Sequence, residues 1–153
     1  MKRFITEETF KRLKEDLLKL KTKDRLDVAE RIKIAKEFGD LSENAEYKEA
    51  RESQGQLEQR IFELETILNE AQIRKPSKSK TIIDIGVKFE VKNLDTRKKI
   101  IFELVGFGEA NPMEGKISTD SPLGSAFLDK KANEEVKVKV NGNILQFQIL
   151  KII

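Results

Sequence analysis

Two long charged segments with apolar residues at helical spacing are separated by only six residues, Gly39-Asp40-Leu41-Ser42-Glu43-Asn44. In the first segment Phe10, Leu13, Leu17 and Leu20 step by three and four, the stripe a helix lays against a partner. Charges interrupt it from Lys21 to Asp27, and it resumes at Val28, Ile32 and Ala35. No proline intervenes, so the pattern predicts one helix to about Glu37 with its packing phase shifted midway. About 30 residues at helical rise reach on the order of 45 Å. Thr6-Glu7-Glu8-Thr9 is a fitting start, with a hydroxyl to cap and acids in the first turn. Phe38-Gly39 ends the helix, because glycine accepts the left-handed conformation past a helix C-terminus. In the second segment Tyr47, Ala50, Gln54, Leu57, Ile61, Leu64, Leu68 and Ala71 keep a heptad repeat with only Gln54 polar. Two long helices joined by so short a connection lie antiparallel. Apolar residues near the connection are small or few, which predicts a thin, highly charged far end.

Past the second helix the signals change. Arg74 to Lys80 holds Pro76, two serines and four basic residues, a solvated breaker segment. From Thr81 the apolar period becomes two. Val87, Phe89 and Val91 alternate with charges, Asn93-Leu94-Asp95-Thr96 reads as a turn, and Ile100, Phe102 and Leu104 alternate again. Gly106 to Gly115 is a glycine-rich loop. Ser121-Pro122 opens a short helix, serine at the cap and proline at the first helical position, with Phe127-Leu128 at its buried end. Val136, Val138 and Val140 lead into Asn141-Gly142, a strong hairpin turn signal, and Leu145, Phe147 and Ile149 return. The expected fold is α+β: an antiparallel coiled-coil hairpin over 1–75 with an acidic tip at 39–44, a linker at 76–80, and a small antiparallel sheet domain with one short helix over 81–153.

Composition removes several function classes. The 153 residues include no cysteine and no histidine. Disulfides, thiol catalysis and zinc fingers are gone, and so is the commonest general base and metal ligand. What remains is hard-metal carboxylate chemistry. No apolar run is long enough to span a bilayer, and the start lacks a signal-peptide core, so a cytoplasmic chain with no membrane partner is expected. Thirty basic and 27 acidic residues give a net charge of +3, too mild to prove nucleic-acid binding. Up to Lys75 there are 17 of each sign, so the excess lies in the second half, with 13 basic and 10 acidic residues.

Three clusters carry alternatives. Asp40 and Glu43 match a capping box with aspartate in place of serine, or Ser42 is the N-cap and Glu43 only favours the helix dipole. Alternatively, two carboxylates at an exposed apex share a divalent cation. They are too few to hold Mg²⁺ tightly alone, so a partner has to complete such a site. Lys33, Lys36, Lys48 and Arg51 flank the tip, as a solvated face with local ion pairs or as a basic collar for phosphates. Asp120-Ser121-Pro122 is a plain helix start or an exposed docking corner.

The run Gly39-Asp40-Leu41-Ser42-Glu43-Asn44-Ala45-Glu46-Tyr47, continuing through Ala50-Arg51-Glu52, closely resembles the signature of the bacterial Gre transcript cleavage factors, the GreA/GreB family. Ile117-Ser118-Thr119-Asp120-Ser121-Pro122-Leu123-Gly124 is similar to that family too, and the likeness spans essentially the whole chain. It implies a second domain resembling FK506-binding proteins that docks on the rim of bacterial RNA polymerase, through a corner holding Asp120, Ser121 and Pro122. It implies that the hairpin enters the secondary channel and that the polymerase cuts backtracked RNA faster as a result. Asp40 and Glu43 match the tip acids that help hold a second, weakly bound Mg²⁺. Lys36 and Arg51 match basic positions near the displaced RNA 3′ segment. The factor is then a monomer, no enzyme by itself, with no cofactor outside the polymerase complex. Asp129 stands where the family often has glycine, and Asn133-Glu134 where it often has Gly-Asp.

Two other readings remain. A Gre paralogue that blocks the channel without stimulating cleavage departs from the Asp/Glu pair kept here. A peptidyl-prolyl isomerase or chaperone needs an apolar, aromatic-lined pocket. The chain has no tryptophan, and its one tyrosine, Tyr47, lies in the hairpin.

Overall fold

A computed structural model describes residues 3–78 and 80–153. Met1 and Lys2 of the expected 1–75 segment and Ser79 of the expected linker lie outside the described residues. The chain divides into two compact units, Lys11–Glu70 and the combination of Met1–Phe10 with Ala71–Ile153.

The Lys11–Glu70 unit is the helical hairpin. Its first arm runs through α1 (Glu7–Lys19), a π-helical segment (Leu20–Asp24) and α2 (Arg25–Glu37), and its second is α3 (Ala45–Glu70). The π segment is the physical form of the phase shift. Leu20 and Val28 are eight residues apart, and one extra residue looped into the turn restores the seven-residue spacing that keeps both on the inner face. The Thr22 hydroxyl donates to the Leu18 carbonyl at 2.8 Å inside this bulge. In α3 the interior takes Ala50, Ile61, Leu64 and Ile67, while Leu68 is only half-buried. A 3.6-residue helix drifts off a strict heptad, so the last contact passes from Leu68 to its neighbour. Ala71, expected as the last apolar step of the helix, belongs instead to a strand. Ion pairs tie the arms across the seam: Arg25 to Glu58 through Nε at 2.7 Å, Lys21 to Glu65, and Arg31 to Glu49 at 3.4 Å. All three pairs are exposed to solvent and screened by it, so they fix register more than stability.

The other unit is built on a five-stranded sheet in the order β5-β4-β3-β7-β6. Its strands are β3 (Lys88–Asn93), β4 (Lys99–Val105), β5 (Lys116–Ser118), β6 (Glu135–Val140) and β7 (Asn143–Ile152). Neighbours are antiparallel except the short edge strand β5, which runs parallel to β4. α4 (Pro122–Phe127) lays Phe127 onto the inner face, where Phe89, Val91, Leu104, Val136, Val138, Phe147 and Ile149 close the core. The rings of Phe127 and Phe89 lie 5.0 Å apart and those of Phe127 and Phe147 5.7 Å apart. Asn141 and Gly142 both have positive φ, 49° and 84°, as the two-residue hairpin turn demands.

The chain start is part of this unit. β1 (Arg3–Ile5), counted from sequence with the hairpin of 1–75, pairs in parallel with β2 (Ala71–Ile73). Phe107 N–H donates to the Phe4 carbonyl at 2.9 Å. A side chain at Gly106 would meet the backbone of residues 4–6 at 3.2–3.4 Å, so glycine there leaves room for the strand. Thr6 Oγ1 accepts from the Thr9 N–H at 3.3 Å as the cap of α1, and both hydroxyls donate to the Glu109 carboxylate. Asp129 (φ 63°) and Asn133 (φ 70°) are left-handed, a conformation that glycine adopts most easily. Aspartate and asparagine are the non-glycine residues that tolerate this conformation best.

Candidate functional site

The tip is a short turn between helices that approach closely. Ala35 and Ala50, the small inner residues nearest the tip, are 0% and 1% exposed. Phe38 closes α2 with its N–H on the Ala35 carbonyl at 3.3 Å. Gly39 follows at φ 104° with open space around it, so its backbone angle rather than crowding calls for glycine.

Asp40 then makes an Asx turn. Its Oδ1 accepts from the Ser42 N–H at 3.0 Å and from the Ser42 hydroxyl at 2.8 Å. These two bonds, the backbone one first, hold the Asp40 carboxyl below the usual aspartate range, against a small opposing effect of desolvation. Glu43 is exposed, and among the described residues its carboxylate has no hydrogen bond or ion pair. Both capping readings are therefore corrected. The N-cap of α3 is Asn44, whose Oδ1 accepts from the Tyr47 N–H at 3.0 Å. Asp40 and Ser42 stand too far before the helix to cap it, so the two acids are held at the apex without being used up in ending a helix. Both present free oxygens of the type a hard divalent cation takes, but far fewer than its six ligands. Among the described residues no three acidic side chains converge on one point.

Below the apex Lys33, Lys36, Lys48 and Arg51 are all exposed. Arg51 Nη1 donates to the neutral Gln54 Oε1 at 2.7 Å, and Glu49 is taken by Arg31. Among the described residues Lys33, Lys36 and Lys48 form no ion pair, so the local acids do not neutralise the collar. Sequence reasoning did not assign Asn44 or Ser42 these positioning parts. An asparagine three residues ahead of Tyr47 was a readable cap signal, whereas the Ser42–Asp40 bonds depend on a turn that spacing alone does not specify.

In the other unit, the Asp120-Ser121-Pro122 corner is a helix start in full. Ser121 Oγ accepts from the Gly124 N–H at 2.9 Å and donates to the Ser118 carbonyl at 2.7 Å, with Pro122 in the first turn. Asp120 and Pro122 are exposed. Arg3 Nε lies 3.8 Å from Asp120 Oδ2, and its guanidinium sits 5.1 Å from the centre of the Phe107 ring. These residues line a cleft of about 430 Å³ with Phe4, Thr119 and Leu128. Nothing local in the sequence links Arg3 to Asp120, which stands over a hundred residues away.

Two family models match the chain, one described as transcription elongation factor, N-terminal, over residues 3–73, and one as transcription elongation factor, GreA/GreB, C-term, over residues 78–153. The chain is 44% identical over 149 residues to the transcription elongation factor GreA of Clostridioides difficile, covering 97% of this chain and 94% of that one. It is 39% identical over 148 residues to GreA of Thermotoga maritima, covering 97% and 95%. Among solved structures, the GreA factor homolog 1 (Gfh1) protein of Thermus thermophilus aligns over 100% of this chain and 99% of that one, with 24% identity and a TM-score of 0.44.

Proposed function

Because the chain belongs to the GreA/GreB family of transcription elongation factors, we propose that it binds RNA polymerase as a monomer, places its hairpin tip in the secondary channel, and speeds the polymerase's own cleavage of backtracked RNA. The observation that carries this reading is the state of the two tip acids. Asp40 is held in an Asx turn whose hydrogen bonds favour its charged form and Glu43 is left without a partner among the described residues, so two carboxylates stand available at one apex.

Asp40 and Glu43 would hold a second Mg²⁺ together with the polymerase, and with two ions in place one would activate the water and the other stabilise the leaving oxygen in phosphodiester hydrolysis. The chain's own part is electrostatic and positional. Asp40 and Glu43 add two anionic ligands where the polymerase leaves the second site weakly occupied. Ser42 fixes the direction of Asp40. The collar of Lys33, Lys36, Lys48 and Arg51 attracts the phosphates of the displaced RNA segment. Asp120, Ser121 and Pro122 form the corner that docks on the polymerase rim. On this reading the factor cuts nothing alone, since two carboxylates are too few ligands to hold Mg²⁺ tightly without the polymerase.

The test is RNA cleavage in stalled, backtracked complexes with and without the protein. Acceleration that requires both polymerase and Mg²⁺ is expected. Slower cleavage than with polymerase alone assigns the chain to the channel-blocking alternative instead. For the collar, Lys36→Ala with Arg51→Ala keeps affinity for polymerase free of backtracked RNA and loses stimulation. An equal fall in that affinity makes the collar a docking surface.

A further inference from the structure

Resting on that functional reading, we infer that Phe38 is a binding platform for a nucleobase, stacking on the displaced RNA base next to the cleavage point. Phe38 is 76% exposed, more than any other phenylalanine among the described exposed residues. Its place is not an accident of the core pattern. The inner stripe of α2 runs Val28, Ile32, Ala35, and its next step falls on Gly39, which leaves Phe38 on the flank. There it forgoes the stabilisation that burial gives a large apolar side chain. It is also firmly mounted. Its own N–H bonds to Ala35 and the N–H of Gly39 bonds to Lys36, so the ring leaves a structured helix end, not a loose loop. Ile34, one turn back on the same face, and Leu41, past the glycine, are exposed too. The tip is thus less purely charged than the sequence pattern suggests.

The surroundings select the occupant. Asp40 lies two residues on. Lys33 and Lys36 stand on the same helix and Lys48 and Arg51 on the other arm, with no ion pair among the described residues for the three lysines. An exposed aromatic ring at the end of a helix, on a tip whose arms carry unneutralised cations, is a pattern that holds single-stranded nucleic acid, with bases on the ring and phosphates on the cations. An apolar protein wall asks only for bulk, which leucine supplies as well as phenylalanine. A base needs a π face, which leucine lacks.

That difference sets the experiment. Full-length wild type, Phe38→Trp, Phe38→Leu and Phe38→Ala are compared on complexes backtracked by one nucleotide, in which a 2-aminopurine at the RNA 3′ end is the displaced base next to the cleavage point. Folding is checked by circular dichroism, which an exposed side chain leaves unchanged. Without Mg²⁺, so that nothing is cut, wild type and the tryptophan variant quench the 2-aminopurine emission by stacking, and the leucine and alanine variants do not. With Mg²⁺, cleavage at saturating factor falls about tenfold for leucine and alanine and stays within about twofold for tryptophan, the size expected for one base on one ring. Leucine matching wild type in both readouts overturns the proposal, as does wild type leaving the emission unchanged even while it speeds cleavage. Quenching without accelerated cleavage leaves the platform standing and removes the cleavage role instead.

Discussion

Asn44 donates its side-chain Nδ2 to the carbonyl oxygen of Ala35 at 2.6 Å, across the hairpin and directly beneath the tip acids. The same side chain caps α3 through Oδ1, so one residue both starts one arm and fastens it to the end of the other. Asn44→Ala removes both bonds and lowers stability by about 1–2 kcal/mol, read from thermal melting by circular dichroism. Asn44→Asp keeps the cap but turns an oxygen toward the Ala35 carbonyl. It should melt between wild type and the alanine variant and stimulate cleavage poorly. An aspartate variant that melts as wild type does shows that the crossing bond is idle.

The tip acids are separable from stability. Asp40→Asn keeps an oxygen for Ser42, and Glu43→Gln has no bond to lose among the described residues. Both variants should melt like wild type and bind polymerase, yet lose most of their stimulation. Raised Mg²⁺ should recover part of it by mass action. Asp40 titrates below its unfolded value because Ser42 favours the charged form. Its contribution is therefore complete above the ordinary aspartate range and is lost only as pH falls through the lowered folded value. Stimulation should accordingly stay insensitive to Asp40 protonation from neutral pH down to mild acid. Near-normal cleavage by both single variants at limiting Mg²⁺ removes metal sharing from the account.

What was legible from sequence follows the range of the interactions. The stripes of Phe10 to Ala35 and Tyr47 to Leu64 encode the hairpin locally, and even the break at Lys21 to Asp27 marked the π segment. Asn141-Gly142 and Ser121-Pro122 announced their turn and cap because each is complete within four residues. β1 was missed because three residues give no period, and its partner β2 stands nearly seventy positions away. β5 escaped for the same reason, being three residues held by β4. At the tip, acid spacing named the residues Asp40 and Glu43 but assigned them a capping geometry that belongs to Asn44, because Asx turns and N-caps draw on the same residue types.

Asn133 offers a direct reading of backbone strain. It holds φ 70° while its N–H donates to the Ile149 carbonyl at 2.8 Å, so the loop before β6 cannot relax without losing that bond. A left-handed residue with a Cβ costs on the order of 1 kcal/mol, less for asparagine than for alanine. Asn133→Gly should raise the melting temperature by a few degrees and Asn133→Ala should lower it. The reverse order indicates that the asparagine side chain, not its backbone, sets stability here.

The last prediction concerns where the sheet unit can be cut. Sequence alone suggests that a fragment from about Lys80 onward folds by itself. The sheet unit, however, includes Met1–Phe10 and Ala71–Ile153, and several bonds of that unit fall outside such a fragment. Ile5 is fully buried, and burying an isoleucine is worth roughly 1.5–3 kcal/mol. Arg74 reaches Asp84 at 3.0 Å, its N–H bonds the Ile5 carbonyl at 2.9 Å, and Ser77 N–H bonds the Ile85 carbonyl at 2.6 Å. Removing residues 1–79 also uncovers Gly106, where β1 packs on bare backbone. A chain with Lys11–Glu70 replaced by a short glycine-serine linker keeps all of these. It should unfold cooperatively, at a denaturant midpoint clearly above that of Lys80–Ile153, and compete with the full protein for polymerase without stimulating cleavage. Equal midpoints for the two fragments show that β1 and β2 add nothing to the sheet. Failure of the linked chain to compete, while folded, places docking outside this unit and takes Asp120 and Pro122 with it.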